Sequence, residues 1–157
     1  MTLFLLNVLL ALAWVALTGG FSPTNFVIGL LLGYAALWVT QRRNGSRAYF
    51  SKVRNVLGFA VFFVWEVIKA NLRVAYDVLS PRQRMTPGVV AIPLDAKTDA
   101  EITFLANLIT LTPGTLSLDV SDDREVLYVH AMYVEDADQF RREIKDGLER
   151  RLLEVLR

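Results

Sequence analysis

Apolar residues fill the first third of the chain almost without interruption, and residues 1–41 contain no Asp, Glu, Lys, Arg or His. A helix needs about 20 apolar residues to cross the ~30 Å hydrocarbon core of a bilayer. The run has room for two crossings because it is broken at Thr18-Gly-Gly-Phe-Ser-Pro-Thr-Asn25, where Gly-Gly and Ser-Pro are turn signals. The pattern predicts a membrane α-helical hairpin with spans at Leu3–Leu17 and Phe26–Thr40.

A cleaved signal peptide is the alternative interpretation of the first span, because Ala11-Leu-Ala13 resembles a cleavage site. No basic segment precedes the apolar run, which argues against it. In the second span Gly29 and Gly33 are four residues apart, a spacing that lets membrane helices approach closely. We expect these glycines to be a helix-packing site. Neither span has the ionisable side chains that ion pathways usually need, so this chain alone is not expected to transport ions.

A third helix is predicted over Val53–Leu79, which is largely apolar, contains no Pro and ends at Ser80-Pro81. On a helical wheel four polar side chains fall on one side and make this helix amphipathic. We call them the polar stripe: Glu66, Lys69, Arg73 and Asp77. The helix either lies at the cytoplasmic membrane interface or crosses the membrane as a third span. The stripe is either a solvated face or a docking stripe for another subunit.

The last third of the chain alternates between strand-like and helix-like patterns. Strands are predicted at Gly88–Leu94, Thr115–Val120 and Val126–Val134, and helices at Asp99–Thr110 and from Asp136 onward. We expect Asp99 to cap its helix, the strand from Val126 to be central, and Leu116, Leu118 and Val120 to point inward. The order βαββα is typical of a small α+β domain with helices on one side of its sheet.

Charge is distributed unevenly along the chain. Residues 42–84 hold nine Lys or Arg against two Asp or Glu, a net charge of +7, whereas residues 85–157 have a net charge of −6. The positive-inside rule places the segment after the second span in the cytoplasm, together with the N-terminus. Lys and Arg flank the third helix at both ends, so the rule does not choose its side. An interfacial third helix, which we favour, leaves the C-terminus in the cytoplasm, whereas a crossing would put the C-terminal domain outside. The sequence thus divides into a two-span anchor (1–41), a basic link with the long helix (42–84) and a cytoplasmic α+β domain (85–157). Disorder is excluded, since hydrophobic residues make up 54% of the chain.

Candidate chemistry is sparse. The chain has no Cys and one His, His130, which we expect to be structural in the central strand. The acidic residues Asp119, Asp122, Asp123 and Glu125 lack the spacing and the glycine of a calcium loop, so a solvated hairpin turn is predicted there. We expect no catalytic residue, no cofactor, no metal site and no nucleic-acid partner.

The most distinctive stretch is LANLITLTPGT at residues 105–115, where a predicted helix ends in a Pro-Gly turn and a strand follows. Its threonine hydroxyls can satisfy the open carbonyls of the helix end and the amides of the turn. Asn107 lies within the helix, where its amide costs stability without a partner. The stretch is either a well-capped corner or a polar corner that contacts a partner or the membrane surface.

These features together resemble a known family. The two apolar segments, the basic link, the long helix, LANLITLTPGT and DDREVLYVHAMYV are similar to the E subunit of the multisubunit Na+/H+ antiporters of the Mrp type, also called Mnh or Pha. The resemblance covers nearly the whole chain, and its specific part is the ANxITLTPGT motif. Only a signature with no assigned role carries over: Asn107, Thr110, Thr112, Pro113, Gly114 and Thr115.

The resemblance implies a multi-pass subunit of a hetero-oligomer in the bacterial inner (plasma) membrane that exports Na+ in exchange for protons. Large subunits of that family carry the ion pathways, so a non-catalytic accessory role is implied here, with other subunits and membrane lipid as partners. A membrane-anchored adaptor or regulator that acts outside a transporter is the alternative. An enzyme with its site in the βαββα domain is a third hypothesis, but it needs a nucleophile–base pair or metal cluster that the sequence does not present.

Overall fold

The computed structural model describes residues 2–41, 47–80 and 85–157. It is mostly helical, with two long apolar helices and a small three-stranded sheet. In order, the elements are α1 (Thr2–Thr18), α2 (Pro23–Gln41), α3 (Arg47–Leu79), β1 (Gly88–Pro93), α4 (Asp99–Leu111), β2 (Thr115–Val120), β3 (Val126–Ala131) and a C-terminal helix, α5. Helix α5 consists of an α-helical segment Ala137–Arg142, a π-helical segment Glu143–Glu149 and an α-helical segment Arg150–Leu156. By its internal packing the chain divides into two units, Met1–Arg54 and Asn55–Arg157.

The first unit contains the hairpin of α1 and α2. Helix α1 ends where Gly19 adopts a left-handed conformation with φ of 67°. Helix α2 begins at Pro23, three residues before the predicted start, because proline is well suited to the first helical position. Asn25 ties the turn together: its side-chain nitrogen donates to the Thr18 hydroxyl at 2.6 Å, and its side-chain oxygen accepts from the Trp14 indole at 2.9 Å.

The lengths of the helices limit which of them can cross a membrane. Among the described residues, Pro23–Thr40 in α2 and Tyr49–Leu79 in α3 are long and apolar enough to cross a membrane. Helix α1 is apolar but has only 17 residues, which is at the lower limit for a crossing. Helix α3 begins at Arg47, six residues before the predicted start, and ends at Leu79 as predicted. The predicted basic link at 42–46 and the stop at Pro81 lie outside the described residues.

Helices α1 and α2 approach closely at two glycines. A Cβ atom added at Gly29 would lie 3.0 Å from the Ala11 backbone, and one added at Gly33 would lie 2.3 Å from Asn7 Oδ1. The Asn7 side chain is buried, and its nitrogen donates to the Tyr49 hydroxyl at 3.1 Å. The geometry therefore supports the packing role predicted for Gly29 and Gly33, which remains a prediction for the protein in its membrane.

The second unit is built around an antiparallel sheet of order β1-β3-β2, so β3 is central. Buried and more exposed side chains alternate along β1 as predicted, since Val90, Ile92 and Leu94 are all buried. Helices α4 and α5 bury Leu105, Ile109, Leu148 and Leu152 in the same core, and Phe59, Phe62 and Phe63 of α3 pack against it. Strand β3 ends at Ala131, three residues before the predicted end.

The predicted inward face of β2 is wrong in part. Leu116 and Leu118 are about half exposed, whereas Val120 packs against the core. The register shifts between Ser117 and Asp119, which reverses the faces on either side of the irregularity. Ser117 takes the inward position, and its hydroxyl donates to the Ala106 carbonyl at 3.0 Å.

The predicted cap of α4 is also wrong, because Thr98 and not Asp99 is the N-cap residue. The Thr98 hydroxyl accepts from the Glu101 amide at 3.2 Å, and the Glu101 carboxylate accepts from the Thr98 amide at 3.2 Å. This reciprocal capping box satisfies two amides at once, which a cap at Asp99 would not do. Asp99 is the first residue inside the helix and pairs with Arg124 at 2.8 Å.

Candidate interaction groove beside helix α3

The two sides of α3 differ sharply within the second unit. One side carries Phe59, Phe62 and Phe63, which pack against the domain core, and it continues into the polar stripe. The opposite side has one exposed polar residue, Asn71. It otherwise exposes large apolar side chains: Leu57, Val61, Val64, Trp65, Ile68, Leu72, Tyr76 and Leu79. Helix α3 is therefore amphipathic in an unusual way, since its polar positions face the chain's own α+β domain.

The polar stripe makes different contacts along its length. Lys69 Nζ lies 2.7 Å from Glu66 Oε1 in an exposed pair three residues apart. The Arg73 guanidinium lies over the Tyr133 ring, 5.5 Å from its centroid. Asp77, one turn further on, is buried. The stripe is thus not simply a solvated face; its role as a docking stripe for another subunit remains a prediction.

A groove of about 530 Å³ lies between α3 and the α+β domain. Four segments that are distant in sequence line it, and we call it the α3 groove. It is lined by Glu66, Lys69 and Arg73 of the stripe, by Thr112–Thr115 of the predicted signature, by Tyr133, and by Glu143, Ile144 and Gly147 of α5. Three residues of the stripe, Glu66, Lys69 and Arg73, and the corner Thr112–Thr115, which we call the TPGT corner, therefore line one groove. Asp77 of the stripe does not line it.

Hydroxyl groups cap the end of α4 at this corner. The Thr115 hydroxyl lies 2.6 Å from the Ile109 carbonyl, and the Thr112 hydroxyl donates to the Leu108 carbonyl at 3.0 Å. The Thr110 hydroxyl accepts from the Ser117 amide at 3.2 Å. The Thr112 hydroxyl gives the Leu108 carbonyl at the helix end a partner. The Ile109 carbonyl also accepts from the Thr112 amide at 3.1 Å. The hydroxyls thus hold the corner together, and a contact of this corner with a partner remains a prediction.

The turn itself depends on glycine. Gly114 has a φ of 89°, in the left-handed region, and its carbonyl accepts from the Met132 amide at 2.8 Å. Pro113 precedes it and lines the groove. Asn107 lies on the exposed side of α4, away from these bonds, and no hydrogen bond satisfies its side chain among the described residues. The structure thus separates Asn107 from the other signature residues.

The π-helical segment of α5 lies close to α3. A Cβ atom at Gly147 would lie 3.7 Å from the Phe62 ring, and the Arg151 guanidinium lies 4.2 Å from the centroid of that ring. Segments of π-helix are rare and often mark functional sites. The hydrophobic pattern predicted a continuous α-helix here and gave no sign of this feature.

Sequence reasoning also missed a buried carboxylate on α5. Glu149 is fully buried, and its Oε1 accepts from the amides of Asp95 and Ala96 at 2.7 and 2.9 Å. Lys145 lies 3.2 Å from its other oxygen, four residues earlier on the helix. Burial lowers the pKa of Lys145, but the Asp95 and Glu149 carboxylates outweigh it and raise that pKa. The only sequence signal was the Lys145–Glu149 spacing.

A second acidic group, Glu101, is held by a terminal arginine. Arg157 Nε lies 2.9 Å from Glu101 Oε1, and the amides of Lys97 and Thr98 donate to Oε2. The Arg157 hydrogen bond, followed by these amides, lowers the pKa of Glu101 to about 2. The Thr-x-x-Glu spacing at residues 98–101 was a readable signal for this group.

The acidic hairpin turn shows ordinary turn bonding. Asp123 accepts from the Ser121 hydroxyl and from the Glu125 amide, and these bonds lower the pKa of Asp123. Within residues 2–41, 47–80 and 85–157, no three His, Asp or Glu side chains are grouped to hold a metal ion. His130 lies in β3, opposite Val89 and Leu116.

Comparison with known proteins identifies the family. The family described as Na+/H+ ion antiporter subunit matches residues 7–155. The E subunit of the Na(+)/H(+) antiporter from Alkalihalophilus pseudofirmus is 40% identical over 151 residues, 96% of each chain. The chain belongs to the E-subunit family of multisubunit Na+/H+ antiporters. The corresponding E subunit from Bacillus subtilis is likewise 40% identical, over 98% of this chain and 97% of the relative.

Two solved structures contain a similar chain, and one of them is an Mrp complex. A chain of the Mrp complex from Dietzia sp. DQ12-45-1b is 34% identical with a TM-score of 0.51, covering 65% of this chain and 96% of that one. A chain of the membrane-bound sulfane sulfur reductase, an archaeal respiratory membrane complex, is 29% identical with a TM-score of 0.57 over 96% of both chains. The fold therefore occurs in more than one kind of membrane complex.

Proposed function

We propose that this chain is a non-catalytic accessory and assembly subunit of a multisubunit Na+/H+ antiporter in the bacterial plasma membrane. Its partners are the other antiporter subunits and membrane lipid. The observation that carries this proposal is the position of its charges: residues 1–41 have none, and the stripe on α3 faces the chain's own α+β domain. Ion pathways through membranes need ionisable or polar groups that line a route across the bilayer.

The extent of the contacts of α3 supports a proposal for its placement. The α+β domain contacts this helix from Phe59 to Arg73, which corresponds to about 21 Å at ~1.5 Å per residue. If that segment crossed the bilayer, charged groups such as Arg151 would be drawn into hydrocarbon at high cost. We therefore favour an interfacial α3, with its apolar side in one leaflet and the α+β domain in the cytoplasm.

Accessibility in intact cells tests this placement. The chain has no Cys, so single cysteines at Ser22 and Ser121 report the two sides of the membrane without interference. An impermeant thiol reagent is expected to label the cysteine at 22 and not the one at 121. Labelling at 121 but not at 22 would reverse the proposed orientation.

Transport measurements test the non-catalytic role. Glu66→Gln and Lys69→Met are expected to weaken retention of the chain in the complex, since each leaves a charge at an interface without its partner. Na+-driven proton flux in vesicles, normalised to intact complex across a pH series, should keep its pH dependence. A shifted pH optimum at full assembly would place one of these groups in the proton path and contradict the accessory role.

A further inference from the structure

One face of the three-stranded sheet lacks a covering helix among the described residues. Helices α4 and α5 pack on the opposite face, and the phenylalanines of α3 pack against the same core. Residues directly opposite each other on neighbouring antiparallel strands carry their side chains on the same face. The whole sheet lies within residues 85–157, which the structure describes without a gap. Two rows of side chains form this face, which we call the open face: Val89, His130 and Leu116 in one row, and Ala91, Tyr128 and Asp119 in the next.

The open face is largely apolar, although it is accessible to water. Val89 is 59% exposed, Leu116 46% and Tyr128 39%. Among the described strand residues Asp119 is the only one that carries a charge. Antiparallel sheets with one solvated face usually carry polar side chains on that face, and a contiguous exposed apolar patch marks an interaction surface. The open face therefore has the composition of a surface that another molecule covers.

Both edges of the sheet are already bonded. At the β1 edge the Arg141 guanidinium donates to the Ala91 carbonyl at 2.8 Å. At the β2 edge the Thr110 hydroxyl accepts from the Ser117 amide at 3.2 Å. A strand that added to either edge would have to break these bonds. Docking is therefore expected on the side chains of the open face and not by extension of the sheet.

The hairpin between β2 and β3 makes one end of the open face acidic. Arg124, the one basic residue of this turn, pairs with Asp99 at 2.8 Å. None of the described strand residues is Lys or Arg. A partner with an apolar centre and with Lys or Arg at one end would complement both features of the surface. The exposed carboxylates at this end, which we call the acidic end, are those of Asp119, Asp122, Asp123 and Glu125.

Charge also decides between the possible partners. A second copy of the chain, docked face to face, would bring the same acidic end and no strand Lys or Arg to neutralise it. Anionic lipid headgroups attract Lys and Arg, and the acidic end repels them. Cytoplasmic loops of membrane proteins, by contrast, carry an excess of Lys and Arg. Another membrane subunit therefore has the complementary chemistry.

We propose that the open face binds a cytoplasmic segment of another antiporter subunit. Apolar side chains of that segment pack on Val89, Leu116 and Tyr128, and its Lys or Arg pairs with the acidic end. The inference rests on the proposed accessory role and deepens it by naming the surface that docks and the chemistry of its partner. Because α3 packs against the core on the other face of the sheet, lipid contact of α3 and docking of this partner do not compete.

Single lysines on the open face test the apolar contact. Leu116→Lys and Val89→Lys each place a cation against a partner that carries one, and edge strands tolerate lysine. Both positions are exposed, so the melting temperature of the purified full chain in detergent should change little. Recovery of the other antiporter subunits with the tagged chain in mild detergent should fall on the order of tenfold, because like charges meet at the interface. Phe104→Lys, at an exposed position of α4, is the matched control and should leave recovery unchanged.

Charge reversal tests the acidic end separately. Asp119→Lys should lower the recovery of the other subunits. Glu154→Lys makes the same charge change at an exposed position of α5, which packs on the opposite face, and should have no effect. Raising the salt concentration should lower the recovery of the wild type and narrow its difference from Asp119→Lys, because salt screens exposed charge pairs.

A photo-reactive phenylalanine derivative in place of Leu116 identifies the partner in intact membranes, and it does so even if a lysine variant is unstable. We expect a covalent product with another antiporter subunit, joined at a peptide that contains or adjoins Lys or Arg. A product with a second copy of the chain or with lipid would overturn the proposal. Normal recovery with both lysine variants, or an equal loss with Phe104→Lys, would do the same. If the wild-type tagged chain recovered no antiporter subunit, the proposed function itself would fail instead.

Discussion

The helical hairpin and the α+β domain bury different kinds of residue. The hairpin encloses Asn7, Ala11, Val15 and Leu37, and it exposes large apolar side chains on its outside. The domain encloses an aliphatic core and satisfied carboxylates such as Glu149, and most of its charged side chains are exposed. Small residues and close backbone approach hold the first, whereas burial of apolar surface from water holds the second.

This contrast indicates the surroundings in which each region is stable. An outside rich in exposed leucine and phenylalanine is stable only against lipid or another apolar surface. A domain with a charged outside is stable in water. Helix α3 has both features: its inner side packs on the domain core, and its outer side exposes large apolar side chains. The contrast predicts that substitutions act through packing in the hairpin and through polar satisfaction in the domain.

The largest expected effect is at Glu149. Glu149→Ala removes the acceptor of the Asp95 and Ala96 amides, while Lys145 keeps the Asp95 carboxylate at 2.9 Å. Leaving a buried amide without its acceptor costs about 1–3 kcal/mol, and two amides are affected. Denaturant unfolding of the full chain in detergent, monitored at the domain, measures it. Glu149→Gln keeps one acceptor and should lose clearly less; equal losses would show that side-chain volume, not the polar contacts, decides stability.

Gly33 gives the corresponding test in the hairpin. A Cβ atom there would lie 2.3 Å from Asn7 Oδ1, so Gly33→Val should force α1 and α2 apart at a cost of about 1–3 kcal/mol. Gly58 on α3 is the matched control, because a Cβ atom there meets nothing within 4 Å. Gly58→Ala should stabilise its helix by up to about 1 kcal/mol. Cross-linking yield between cysteines placed on α1 and α2 measures the hairpin, and an unchanged yield in Gly33→Val would remove the close-packing argument.

A substitution at Gly114 tests the role of the TPGT corner. Gly114→Val forces a β-branched side chain into a left-handed conformation with φ of 89°, at a cost of about 1–3 kcal/mol. Gly114→Asn should be milder, because asparagine tolerates that region. We expect amounts of assembled complex to fall more than transport per complex. Normal assembly with lost transport would instead make the corner a functional element.

Much of the fold could be predicted because it depends on local pattern. The alternation at Val90, Ile92 and Leu94 and the uncharged run at the N-terminus are periodic signals, and both correspond to elements in the structure. The same reasoning failed for strand β2. Leu116 and Leu118 follow the alternating pattern of a strand, but an irregularity in register between Ser117 and Asp119 reverses the two faces of the strand. That irregularity has no sequence signature of its own.

Only the α3 side of the candidate groove could be predicted from the sequence. Helical spacing places Glu66, Lys69, Arg73 and Asp77 together, but their neighbour Tyr133 is more than 50 residues away in the chain. No local pattern encodes such a contact, because it depends on how the domain docks on α3. The sequence therefore indicated the stripe without indicating what faces it.

The smallest expected effect is the pH dependence set by Glu101. Its pKa is lowered from 4.5 to about 2 by Arg157 and by the amides of Lys97 and Thr98. A carboxyl whose pKa is lowered by folding stabilises the native state above its unfolded pKa, and that stabilisation is lost as pH falls through the folded pKa. The domain should therefore lose stability between about pH 4.5 and pH 2, and Glu101→Gln should flatten this part of the profile. Thermal unfolding of both proteins across that range measures the difference, and parallel profiles would show that other carboxylates dominate acid unfolding of the domain.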